Sequence, residues 1–84
     1  MRVVTRIRTT RVVDRAWINR EIGKRLRALR KANGYTLQDV AVALGVTRAA
    51  VNNWELAKSQ KNFIVGTLYD LALFYKVPIR RLMP

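Results

Sequence analysis

The chain has 84 residues, with 17 Lys and Arg against 5 Asp and Glu, for a net charge of +12. It has no Cys and no His, which excludes a disulfide framework and the usual zinc ligand sets. A chain this short builds one small domain, and half of its residues are hydrophobic, enough for a compact core. The missing Cys fits a reducing compartment and no apolar run is long enough to span a bilayer, so the expected location is the cytoplasm. The first residues are basic but lack the apolar stretch of a secretory signal. An excess of positive charge on so small a body attracts polyanions; its plainer reading is a solubility device.

Residues 1–14 form a basic N-terminal arm, distinct from a domain over residues 15–84. Arg2, Arg6, Arg8 and Arg11 alternate with Val3, Val4, Ile7, Val12 and Val13, a β-branched pattern that favours extended chain. The period then changes. Ile18, Ile22, Leu26 and Leu29 recur at helical spacing, with Asp14 as the expected N-cap and Asn33-Gly34 as the stop. Thr36-Leu37-Gln38-Asp39 fits a capping box and opens a short helix closed by Gly45. Thr47 caps a third helix, which turns Ala50, Val51 and Trp54 inward and Arg48, Ala49, Asn52 and Asn53 outward. Lys58 to Asn62 reads as a loop. A fourth helix carries Leu68, Leu71, Ala72 and Tyr75, and Pro78 is expected at the first position of a final turn, counted as a fifth helix, with Ile79 and Leu82 inward. The prediction is an all-α domain of five helices.

The pair over residues 36–44 and 47–56 is joined by a turn too tight for an antiparallel hairpin, so the helices must cross steeply. That is a helix-turn-helix, whose second helix projects and fits a major groove.

The same residues carry a family resemblance. Ile22 to Arg30, Gly34-Tyr35-Thr36, Val40-Ala41, Leu44 to Thr47, Ala50 to Glu55, Thr67-Leu68, Leu71-Ala72 and Tyr75 to Pro78 resemble, in order and spacing, the Cro/phage-repressor (XRE) type of helix-turn-helix domain. The likeness covers residues 18–83 and implies a lambda-repressor-like fold bound to double-stranded DNA, with transcriptional repression by operator occupancy as the expected role. By the same likeness Arg48, Ala49, Asn52 and Asn53 would meet base edges, Arg48 suiting guanine and Asn53 adenine. Thr36, Gln38, Thr47, Lys58 and Lys61 would meet phosphates. Arg30 would pair with Glu55 to hold the reading helix in place. Plainer readings are a phosphate contact for Arg48, a solvated amide for Asn52 and solvated loop charges for the two lysines.

The chain departs from the family pattern at Leu37, where Gln is usual, and at Ala57 and Lys76, where Gly is usual; Lys76 would be strained if left-handed. Leu73 and Phe74 are more apolar than expected there and read as extra core residues or as a contact surface; with Ile64, Tyr69 and Ile79 they suggest a homodimer surface or a dock for the arm. The arginines of the arm have three readings: DNA contact, strand pairing between subunits, or a tail that only raises non-specific affinity. No catalytic constellation, phosphate-cradling Gly loop, cofactor site or small-molecule ligand site is expected. Two other functions fit the residues: an antitoxin-like protein-interaction module, and a polyanion binder acting through charge alone.

Overall fold

The computed structural model describes residues 15–58, 63 and 65–84. They form α1 (Arg15–Ala32), α2 (Leu37–Leu44), α3 (Arg48–Leu56), α4 (Val65–Tyr75) and a closing 3-10 turn (Ile79–Leu82). The expected fifth helix is therefore a single 3-10 turn. Pro78 precedes it as a cap rather than occupying its first position, because its ψ of 148° is extended. Asp14 and the arm boundary at residue 14 lie outside the described residues.

The apolar spacing of each helix decides what it buries. Ile22 and Leu26 of α1, Val40 and Ala41 of α2, Val51 of α3, and Leu68, Leu71, Ala72 and Tyr75 of α4 meet around Leu82 of the last turn. Ile18, Leu29, Leu37, Leu44, Trp54, Phe63, Phe74 and Val77 pack around this centre. Among these elements α1 lies against α3 and the 3-10 turn, α2 against α3 and α4, and α4 against the 3-10 turn. Ile79, expected inward, is instead 37% exposed, while Leu82 alone from that turn is fully buried.

Caps fix the helix boundaries. The Thr36 hydroxyl accepts from Asp39 N at 3.0 Å, and Thr36 N donates back to the Asp39 carboxylate at 2.8 Å. Thr47 accepts from Ala50 N at 3.1 Å. Among the described residues all four α-helices end by turning one residue left-handed: Gly34 (φ 72°), Gly45 (φ 70°), Ala57 (φ 53°) and Lys76 (φ 60°). The next N–H then returns to a carbonyl five residues back, as in Val46 N to Ala41 O at 3.0 Å and Val77 N to Ala72 O at 3.0 Å. Helix α3 thus ends in the usual left-handed way although its glycine is replaced by Ala57.

Candidate nucleic-acid interface

Between Gly45 and Thr47 the chain has only enough length to reverse once. The left-handed Gly45 ends α2 and the Thr47 cap starts α3 two residues later. Helix α3 then buries Val51 and Glu55 and leaves its opposite side free. Ala49 and Asn53 are exposed there, Arg48 is exposed at the first position of the helix, and Asn52, expected outward with them, is half-buried. Thr36, Gln38, Thr47 and Lys58 are exposed, with both threonine hydroxyls engaged as caps. The first N–H groups of a helix have no partner within it, so the starts of α2 and α3 carry partial positive charge into solvent. Lys61, Ile64 and the arm residues Arg2, Arg6, Arg8 and Arg11 lie outside the described residues.

Two contacts hold α3 against α1. Arg30 grips Glu55 with two parallel hydrogen bonds, Nε to Oε2 at 2.7 Å and Nη2 to Oε1 at 3.0 Å, and its Nη1 donates to Tyr35 O at 3.1 Å. The Glu55 side chain is 3% exposed and that of Arg30 is 13%. One guanidinium therefore ties together α1, α3 and the turn before α2. The Glu55 hydrogen bonds raise the Arg30 pKa above its ordinary value, so the guanidinium stays charged. Tyr75 sits beside it; burial first, then the Glu55 charge, pushes its phenol up to about 12.

The second contact is a close approach that the sequence reading did not single out. Gly23 is buried against the last turn of α3, and a Cβ there would stand 2.5 Å from Glu55 O and 2.7 Å from Trp54 O. Only glycine lets the two helices come so near. The available signal was a glycine in the middle of an amphipathic helix, where it costs about 1 kcal/mol relative to alanine unless packing needs it.

The expected apolar surface divides. Phe74 packs against the core: it is half-buried, its ring centroid 5.2 Å from Tyr35 and 5.0 Å from Tyr75. Tyr69 and Leu73 are 56% and 60% exposed, and Val65, four residues before Tyr69, extends the same side of α4 at 73%. No described helix is long and apolar enough to cross a membrane.

Known proteins of similar sequence and shape fit this geometry. A family model described as helix-turn-helix matches residues 26–82. The crystal structure of the DNA-binding domain of BldD is 28% identical, with a TM-score of 0.71, over 82% of this chain and 97% of that one. The BldD DNA-binding domain of S. venezulae is 29% identical, with a TM-score of 0.69, over 80% of this chain and 97% of that one. The restriction-modification controller protein C.AhdI from Aeromonas hydrophila is 30% identical, with a TM-score of 0.67, over 75% of this chain and 92% of that one. Among curated proteins none matches. With α2 and α3 joined by a two-residue step from Gly45 to Thr47, its exposed α3 face and a family match over most of its length, the chain belongs to the helix-turn-helix family.

Proposed function

We propose that the chain is a sequence-specific, double-stranded-DNA-binding transcriptional regulator of the Cro/phage-repressor type, acting in the cytoplasm as a repressor that occupies its operator, with no catalytic role. The observation that carries this reading is the exposed side of α3, with Arg48, Ala49 and Asn53 presented on a helix anchored by Gly23 and by the Arg30–Glu55 pair. Two of its similar structures are DNA-binding domains and a third is a controller protein, which supports the reading. Arg48 has the donors to take guanine O6 and N7 together, and Asn53 suits adenine N6 and N7. Phosphates fall to the starts of α2 and α3, to Gln38 and to Lys58 and Lys61.

The protein acts as a homodimer through the Val65, Tyr69 and Leu73 side of α4, so that two α3 helices enter successive major grooves about 34 Å apart. Selection from a random duplex pool with excess competitor tests the proposal. It should enrich two inverted half-sites. Arg48→Ala should then relax one position in each and cost roughly 1–3 kcal/mol there. A pool that enriches no motif would leave α3 without a reading role, and the exposed side of α4 would then favour a protein-interaction module.

A further inference from the structure

The helix that reads DNA in the proposed function carries almost no charge to hold it there. From Thr36 to Leu56 the only cation is Arg48, against Asp39 and Glu55. Glu55 is neutralised by Arg30, and Asp39 is spent on the Thr36 cap. The positive charge is elsewhere, and α1 alone has seven of the 17 basic residues, from Arg15 to Lys31. Three of these are already paired: Lys24 and Arg25 with Glu21 at 3.3 and 3.1 Å, and Arg30 with Glu55. Arg20, Arg27 and Lys31 are exposed, and none has an acidic partner among the described residues.

Those three residues lie on one side of α1, at spacings of seven and four, with exposed Lys24 between them. Ile22 and Leu26 face the core, and Gly23 and Arg30 face α3. Continuing round the helix in the same sense brings the basic side next, on the outer flank of the α1–α3 junction. On α3 the order is matched: Val51 faces the core, Glu55 faces α1, then Asn52 and Leu56 follow, then the exposed Asn53 and Ala49. The basic ridge of α1 and the Ala49–Asn53 side of α3 thus both turn away from the core, each just beyond the face its helix gives to the other. At 1.5 Å per residue the ridge from Arg20 to Lys31 is about 16 Å long, enough to follow several phosphates of one strand.

We infer that Arg20, Arg27 and Lys31 form a phosphate-binding ridge that grips the DNA backbone flanking the groove entered by α3, supplying the electrostatic affinity that the helix-turn-helix itself lacks. The inference rests on the DNA-binding reading above. Affinity and readout are then divided between two helices joined by the Arg30–Glu55 pair.

The test compares two doubly substituted proteins that lose equal charge: Arg20→Gln/Arg27→Gln on the ridge and Arg80→Gln/Arg81→Gln on the exposed 3-10 turn. Glutamine is a good helix former, and thermal melts confirm that both are folded. Binding to the selected duplex and to a random duplex is followed between about 50 and 200 mM salt. The ridge variant should flatten the slope of log K against log salt by about 1.8 on both duplexes, since each lost phosphate contact removes about 0.9. The enriched motif should be unchanged. An unchanged slope, or an equal loss in the Arg80/Arg81 variant, overturns the ridge. A wild type that enriches no motif overturns the reading of α3 instead, and the slope still judges the ridge by itself.

Discussion

Glu55 is the residue on which the placement of α3 turns. Its carboxylate is buried, and both oxygens are taken by one guanidinium. Removing one partner of a buried pair leaves the other charge uncompensated, which costs about 3–5 kcal/mol. Glu55→Ala should therefore lower the melting temperature by well over ten degrees in a domain of this size. A melting curve that does not move would mean that the pair contributes nothing to holding α3. Neighbouring Tyr75 remains protonated across the neutral range, so the group nearest the pair adds no competing charge.

At the level of elements, the contact between α1 and α3 is set by a missing side chain. A Cβ at Gly23 has no room, because both atoms it would strike are backbone carbonyl oxygens that cannot rotate away. Gly23→Ala should push the helices apart at a cost of about 1–3 kcal/mol, read as a lower unfolding midpoint in urea. A midpoint equal to wild type would show that the close approach is not required. This contact also marks the limit of what the sequence discloses. The caps at Thr36 and Thr47 were legible because capping is local, decided by residues three apart. The periodicity of Ile22, Leu26, Leu68, Leu71 and Ala72 was legible because burial follows helical spacing. Gly23 was not, because its reason lies 32 residues away on another helix. For Phe74 the sequence left core and surface both open for the same cause: nothing in its own segment shows that Tyr35, in the turn before α2, supplies a ring for it to pack on. The last helix was overcalled because Ile79 and Leu82 fit one turn of either helix type, and four residues leave too few hydrogen bonds to extend it. The exposure of Arg48, Ala49 and Asn53 was legible from the inward pattern of Val51 and Trp54, whereas Asn52, expected outward, is half covered by the packing.

For the molecule as a whole, the exposed side of α4 is the feature that a monomer does not explain. Val65, Tyr69 and Leu73 stand one turn apart on one side of the helix, each more than half exposed. Three large apolar residues aligned in this way suit burial against a second copy. Leu73→Asp puts a charge on that side without touching the core. It should shift the protein from dimer to monomer in sedimentation velocity and weaken binding to paired half-sites more than to a single one. A wild type that sediments as a monomer at all accessible concentrations would count against the dimer.

Helix ends at Ala57 and Lys76 adopt left-handed backbone that side chains disfavour by roughly 1–2 kcal/mol each. Neither position is in the core, and neither is assigned a contact with DNA. The fold is therefore held below the stability that its own backbone shape permits, and the shortfall sits at two addressable points. Lys76→Gly, after the greater freedom of glycine in the unfolded chain is offset, should raise the melting temperature by a few degrees, and a fall would show that the lysine makes a compensating interaction. For anyone who wants this domain as a rugged scaffold, the first gains are at the hinges between helices, with the interior left as it is.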